Sequence, residues 1–364
     1  WLLHKDNSDV RADKAIVIVQ SNALRSFIKD TLPSIDVHGV QIFTYSEWVF
    51  QIVNRVLSRD RNSGNKFELF QGVVSASIER IKGSVAVLQT IEHRAKRDVE
   101  EILNRLSTVA WESLPSGLGQ LFERFRAGAL KSPKSAKPVR FLREIQSGIG
   151  KLRATLSPSH PKAGELVAVD TLVSELLNSQ QNYKSELLTI LGDSTAILEA
   201  DETHLLDRAL IDSAYNQTLS NVEHNIIDIH DAALILRLIE LKEGALPGSD
   251  GRPYLYDHIV IDEVQDLSVV QLAAAVCGVE SSANLTIVGD TAQQANPNST
   301  FPGWEKLERY WDEQESISRF ISLRISHRST LQIMKLGDHI LGEDRTDSGR
   351  DGRAPIWFHC RNES

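Results

Sequence analysis

Residues 259–267 read IVIDEVQDL, and this stretch decides the fold of the 364-residue chain. Its first three residues form a continuous apolar run, the kind found in strands that are covered on both faces of a parallel sheet. The run leads directly into four polar residues, Asp262, Glu263, Gln265 and Asp266. We therefore predict a parallel strand that ends in two adjacent carboxylates.

A carboxylate at the end of a parallel strand suits Mg²⁺, because this hard cation prefers oxygen ligands and keeps several of its waters. We predict that Asp262 is the metal ligand. Glu263 points elsewhere as the strand ends, and we predict that it is the general base that takes a proton from a water attacking a nucleotide γ-phosphate. The alternative is an acidic turn that caps the next helix, a role open to Asp266 and Ser268.

Three further stretches have the same strand-like character: residues 14–20 (KAIVIVQ), 285–289 (LTIVG) and 321–325 (ISLRI). Helical patterns lie between them, as in residues 231–243, where three leucines share one face. Strands that alternate with helices indicate a doubly wound α/β sheet. Ligands of such sheets bind beyond the carboxyl ends of the strands, where the acidic pair is expected to lie.

Residues 51–225 show helical periodicity and few strand-like runs, so we predict a mostly helical insertion. Within it, residues 55–162 carry 20 Lys and Arg against 10 Asp and Glu. The net charge of the whole chain is −9, so the rest of the chain carries −19. Residues 131–138 (KSPKSAKP) indicate an exposed basic loop. The basic residues form either a solvated helical surface or a contact surface for nucleic acid.

The composition, 41% hydrophobic and 24% charged, is that of a soluble globular protein. No apolar run is long enough to span a bilayer, so we expect no membrane contact. Cys277 and Cys360 are too few for a disulfide framework or a zinc cluster, and a reducing cytoplasmic location is expected. Because the sequence opens on Trp1 and holds a single methionine, Met334, we also expect it to be a fragment.

The pattern of apolar residues followed by D-E-x-Q-D resembles motif II, the Walker B motif, of UvrD/Rep-like superfamily 1 helicases. Residues 285–293 (LTIVGDTAQ) resemble motif III of that family. The resemblance implies that Gln293 senses the γ-phosphate and couples it to DNA, and that Asp290 orients the loop. Phe301 and Trp304 match the region where the family stacks a base of single-stranded DNA, which tolerates any sequence. The alternative is that Trp304 is a core residue that anchors the loop.

Residues 323–333 (LRISHRSTLQI) resemble motif IV, whose arginine reaches the γ-phosphate, and Arg328 is the matching residue. A guanidinium suits phosphate because it is always charged and donates in a planar fork. Ser326 and His327 depart from the usual N-Y, so the resemblance does not carry an adenine or ribose contact over to these positions.

Residues 17–27 (VIVQSNALRSF) and 40–48 (VQIFTYSEW) resemble motifs Ia and Ib, which touch the DNA backbone. The resemblance implies that Ser21, Asn22 and Thr44 contact phosphate. The alternative is that these residues only cap helices, as polar residues after strands often do.

The resemblance implies a P-loop NTPase (RecA-like) parallel-sheet domain that uses ATP and Mg²⁺. In these terms the first motor domain comprises residues 1–50 and 226–322, the helical insertion residues 51–225, and the start of a second motor domain residues 323–364. No G-x-x-x-x-G-K-[ST] phosphate loop occurs in the sequence, and motifs V and VI are missing. We expect the full-length parent, rather than this piece alone, to hydrolyse ATP.

These observations leave three alternative functions. The first is an ATP-dependent 3′–5′ DNA helicase or single-stranded DNA translocase that binds single-stranded or partly duplex DNA. The second is a HelD-like ATPase that acts on RNA polymerase, because residues 228–262 look more like that branch. The third is a non-catalytic module that binds nucleic acid or protein.

Overall fold

The computed structural model describes residues 10–57, 67–70, 72–114, 116–133, 136–155, 160–248, 253–276, 278–279, 284–307, 321–322, 326–342 and 349–356. The chain divides into two compact units, Trp1–Ser316 and Ile317–Ser364. Residues 1–9, Cys277 and Cys360 lie outside the described part.

The strands are short, and both units contain some of them. In chain order they are β1 (Ala15–Val19), β2 (Gln41–Thr44), β3 (Glu68–Leu69), β4 (Ile226–Ile227), β5 (Leu246–Pro247), β6 (Pro253–Tyr254), β7 (His258–Ile261), β8 (Leu285–Ile287), β9 (Ser326–Thr330) and β10 (Gly349–Arg350). The last two pair with each other in the second unit.

Helices make up most of the first unit. They are α1 (Asn22–Thr31), α2 (Tyr45–Leu57), α3 (Ala76–Lys82), α4 (Val85–Leu106), α5 (Ser116–Lys131), α6 (Pro138–Thr155), α7 (Ala163–Gln180), α8 (Tyr183–Gly192), α9 (Ser194–Ala200), α10 (Arg208–Glu223), α11 (Ile229–Glu243), α12 (Val269–Val276) and α13 (Trp304–Leu307), followed in the second unit by α14 (Leu331–Leu341). Within the described residues, no helix combines the length and the apolar character that a membrane crossing needs.

Four parallel strands form the main sheet, in the order β2-β1-β7-β8. Ile18 lies opposite Ile261, and Ile261 lies opposite Ile287, so the strands end at nearly the same level. Ile16, Ile18, Ile259 and Ile261 are all fully buried. The predicted α/β class with a parallel sheet is therefore confirmed, and the run before the acidic pair is a central strand.

Two of the predicted strands differ from the structure. β8 lies at the edge of the sheet, and its side chains are half-buried or exposed rather than covered on both faces. The strand predicted at residues 321–325 is wrong at its start, because residues 321–322 have no regular structure and Ile321 is 63% exposed. Residues 323–325 lie outside the described part, and the strand that follows is β9, which begins at Ser326.

Two separate hydrophobic cores fill the first unit. The main core surrounds the sheet and includes buried residues of α2, α3, α8, α11, α12 and the start of α4. The second core lies among the end of α4, α5, α6 and α7, from Val99 to Leu177. It contains two stacked aromatic pairs, Trp111 with Phe122 and Phe125 with Phe141, at centroid distances of 4.9 and 3.9 Å. The separately packed part of the helical region is thus smaller than residues 51–225, whose role as one domain stays a prediction.

α11 connects these parts and is buried along most of its length, with twelve of its fifteen residues inside the protein. Its N-terminal end carries a buried ion cluster. Lys82 Nζ lies 2.7 Å from Asp228 and 2.8 Å from Asp231, and the side chains of all three are at most 1% exposed. Burial and the neighbouring Asp228 carboxylate raise the pKa of Asp231 to about 7. Lys82 is therefore the cation that makes two buried acids tolerable.

Replacing Lys82 with methionine is expected to lower the free energy of unfolding by about 3–5 kcal/mol, because it leaves buried carboxylates without their cation. Arg80→Met on the same helix is the matched control, since Arg80 is exposed, and it should change stability by no more than about 0.5 kcal/mol. Urea denaturation of the two variants measures the difference. Equal midpoints for both variants would contradict a stabilising role for the cluster.

Candidate functional site

The carboxyl edge of the main sheet carries the acidic pair. Asp262 follows β7 directly, and its N–H donates to Ile18 O of β1 at 3.0 Å. The chain then turns at Glu263, whose φ of 53° and ψ of 42° lie in the left-handed region that few non-glycine residues adopt. The extended conformation of the strand therefore ends directly after Asp262.

Asp262 and Glu263 are both half-buried, and Glu263 N–H donates to Asp262 Oδ1 at 3.0 Å. Partial burial and the nearby charge of Glu263 raise the pKa of Asp262. A cation placed here would relieve that repulsion. The described residues contain no group of three or more His, Cys, Asp or Glu side chains arranged around a metal position. Two neighbouring carboxylates are a donor set through which proteins commonly hold Mg²⁺, together with waters and phosphate oxygens.

Gln265 joins the acidic pair to the loop that follows β8. Its Nε2 donates to Glu263 Oε2 at 2.7 Å, and its Oε1 accepts from Asp290 N–H at 3.1 Å. Asp290 in turn accepts from Ala292 N–H at 3.0 Å and from Gln293 Nε2 at 2.7 Å. Four of the predicted site residues, Asp262, Glu263, Asp290 and Gln293, therefore lie in one continuous chain of hydrogen bonds.

Asp266 holds the next segment of the same loop. Its Oδ1 accepts from Ala295 N–H and Asn296 N–H, both at 2.8 Å. The helix cap proposed as an alternative role belongs instead to Ser268, whose Oγ accepts from Gln271 N–H at 3.2 Å at the start of α12. The capping interpretation thus applies to Ser268 but not to Asp266.

Phe301 and Trp304 lie where this loop ends. Their rings meet edge to face, with centroids 5.6 Å apart, and both side chains are half-buried against the main core. Ser299 Oγ donates to Leu267 O at 2.9 Å, and Thr300 Oγ1 donates to Gly83 O. These hydrogen bonds and the packing of the two rings against the main core together anchor the end of the loop. The rings are half-buried and keep some exposed surface.

The predicted phosphate-contacting residues end the other two strands of the edge. Ser21 caps α1, with its Oγ accepting from Leu24 N–H at 3.2 Å, and Asn22 is the exposed first residue of that helix. Thr44, the last residue of β2, is only 6% exposed, and its Oγ1 accepts from Glu47 N–H at 3.3 Å. Ser21 and Thr44 thus both make capping contacts. Ser21 and Asn22 are exposed, whereas Thr44 is buried.

Arg328 lies in β9 of the second unit, and its side chain is outside the described part of the chain. The prediction that it reaches the γ-phosphate therefore stays a prediction.

Part of the basic character of residues 55–162 is neutralised within the protein. Among the described residues, five basic side chains of this stretch pair with acidic residues beyond it: Lys82 with Asp228 and Asp231, Arg105 with Glu175, Lys137 with Glu240, Arg143 with Glu243, and Arg153 with Asp170. Exposed basic side chains are also present, among them Arg97, Arg124 and Lys151. A charge count along the sequence missed these pairs, because their partners are distant in the chain.

Comparison with known proteins identifies a family and a relative. The model of the UvrD/REP helicase N-terminal domain matches residues 3–295. Over 180 residues the chain is 26% identical to a protein named "Probable DNA helicase II homolog" from Mycoplasma capricolum subsp. capricolum (strain California kid). That match covers 48% of this chain and 23% of the length of the relative. Since the family model covers most of the chain, including the acidic pair and the loop from Asp290 to Gln293, the chain belongs to the UvrD/REP helicase family.

Proposed function

We propose that the full-length protein is an ATP-dependent 3′–5′ DNA helicase or single-stranded DNA translocase. The observation that carries this proposal is the hydrogen-bonded chain from Asp262 and Glu263 through Gln265 to Asp290 and Gln293. It links an acidic pair suited to nucleotide hydrolysis with a loop that leads towards two aromatic residues. ATP hydrolysis and the response to DNA thus have a common structural basis.

In this proposal the sheet belongs to a RecA-like P-loop NTPase domain, with the division into motor domains and insertion as stated above. Asp262 would hold Mg²⁺, which neutralises charge on the β- and γ-phosphates when bound. Glu263 would take the proton from the attacking water. Gln293 and Arg328 would contact the γ-phosphate, and Asp290 would orient Gln293, to which it is already hydrogen-bonded.

DNA would lie along the same edge of the sheet. The exposed residues Ser21 and Asn22 would contact the phosphates of the DNA backbone. Thr44, at the buried end of β2, would be a third phosphate contact. Phe301 and Trp304 would stack on a base through the exposed parts of their rings. Because stacking does not depend on base identity, this arrangement suits a motor that moves along any sequence.

Glu263→Gln in the full-length protein is expected to reduce DNA-stimulated ATP hydrolysis by about 10²- to 10⁴-fold, the range that general-base catalysis typically supplies. DNA binding should be retained, because the substitution keeps the size of the side chain and replaces none of the proposed DNA-contacting residues. Glu112→Gln is the control, since Glu112 is exposed and outside the site. Normal turnover by Glu263→Gln would remove Glu263 from this role.

The direction of movement is tested with the wild-type protein on duplexes that carry a single-stranded tail. A 3′-tailed duplex should be unwound in an ATP-dependent manner and a 5′-tailed duplex should not. Translocation without unwinding would instead displace a protein block from the end of a single strand. ATP hydrolysis that responds to RNA polymerase and not to DNA would favour the HelD-like alternative.

Trp304→Ala is expected to weaken binding of single-stranded DNA by about 5- to 150-fold, corresponding to the 1–3 kcal/mol that stacking contributes per base. Trp304→Phe keeps an aromatic face and should lose less affinity. Because Trp304 also packs against the main core, urea denaturation must show that both variants are folded at the temperature of the binding assay. If the folded alanine variant binds DNA like the wild type, Trp304 only anchors the loop.

A further inference from the structure

Gln265 is an uncharged side chain that lies within the acidic turn and is only 1% exposed. A buried amide loses several hydrogen bonds to water, so it is stable only where its donor and acceptor both find partners. Here the donor faces a carboxylate of motif II, Glu263, and the acceptor faces a backbone N–H of motif III, that of Asp290. The two ends of one amide thus join the two segments.

Gly289 leaves the space that this arrangement requires. A Cβ atom at Gly289 would lie 2.4 Å from Gln265 Oε1 and 2.9 Å from Val264 Cγ1, both closer than real Cβ contacts. The backbone hydrogen bond from Val264 N–H to Val288 O, at 3.1 Å, holds the two segments at this close separation. The glycine before Asp290 is therefore needed because the side chain of Gln265 passes against it.

We propose that Gln265 is a positioning residue that fixes the Glu263 carboxylate and the Asp290–Gln293 loop relative to each other. This inference rests on the proposed function, in which Glu263 is the general base and Gln293 contacts the γ-phosphate. The Nε2 donor selects one orientation of the Glu263 carboxylate. The Oε1 acceptor holds the Asp290 amide, and the Asp290 carboxylate holds Gln293 Nε2. A displacement of the Asp290–Gln293 loop therefore shifts the Glu263 carboxylate through the side-chain amide of Gln265.

The contributions of the two hydrogen bonds of the Gln265 amide can be tested separately by substitution. Gln265→Met is close in length and removes both hydrogen bonds. Gln265→Glu still accepts from Asp290 N–H, but it no longer presents an amide N–H to Glu263. Gln271→Glu is the matched control: Gln271 is also a buried glutamine, 7% exposed, and its Oε1 accepts from Ser268 N–H, a contact that glutamate preserves.

Steady-state ATP hydrolysis by the full-length variants tests the position of the base. We expect both Gln265 variants to lose about 10- to 100-fold in kcat with little change in KM for ATP, since a small misplacement of a catalytic group has effects of this size. Gln271→Glu should retain wild-type values. Equal kcat losses in Gln271→Glu, or wild-type kcat in Gln265→Met, would overturn the proposal.

Hydrogen exchange at the Asp290 amide tests the other end and does not depend on ATP hydrolysis. Exchange should become about fivefold faster in Gln265→Met, the factor that corresponds to about 1 kcal/mol for one hydrogen bond, and should stay near the wild-type rate in Gln265→Glu. Unchanged exchange in Gln265→Met would overturn the proposed hold on the loop. A wild-type protein that hydrolyses no ATP while Gln265→Met still exchanges faster would refute the proposed function and leave only the structural link.

Discussion

The turn at the end of β7 is the constraint on which the site depends. A non-glycine residue in the left-handed region costs of the order of 1 kcal/mol or more, so the conformation of Glu263 must be imposed by its surroundings. Three contacts do so. Glu263 N–H bonds to Asp262, Gln265 bonds to the Glu263 carboxylate, and Val264 N–H bonds to Val288 O of the neighbouring segment. The strain is thus offset by hydrogen bonds that also bring the loop after β8 to the acidic pair.

α11 gives the site a fixed support, because it is buried and carries charges at both ends. Lys82 meets Asp228 and Asp231 at one end, and Lys242 meets Asp98 and Glu186 at the other. Burial, opposed by Lys242 and reinforced by Asp98, raises the pKa of Glu186 to about 7. Buried ions that lose their partners are costly, so other packings of α11 against α3, α4 and α8 are disfavoured.

The sequence predicted the strand and the acidic pair because both depend on local pattern: residues 259–261 are apolar and the polar residues follow at once. It did not predict the contacts of Gln265 with Asp290 and of Asp266 with Ala295 and Asn296, because these residues lie 25 to 30 positions apart in the chain. Nor did it predict the ion pair between Lys82 and Asp228, which are 146 residues apart. The strand predicted at residues 321–325 was wrong at its start, at residues 321–322, because an apolar run alone does not reveal where a strand begins.

The ion pairs also change what the basic stretch implies for DNA binding. Nucleic-acid affinity that depends on salt comes from cations that replace counterions at phosphates. A lysine held between two buried carboxylates, as Lys82 is, cannot take part, and an arginine paired with Glu243, as Arg143 is, can do so only by giving up its partner. The excess of basic residues in 55–162 therefore overstates the charge available to DNA. Among the described residues, exposed basic side chains such as Arg97, Arg124 and Lys151 are the ones that can reach a DNA strand without giving up a buried partner.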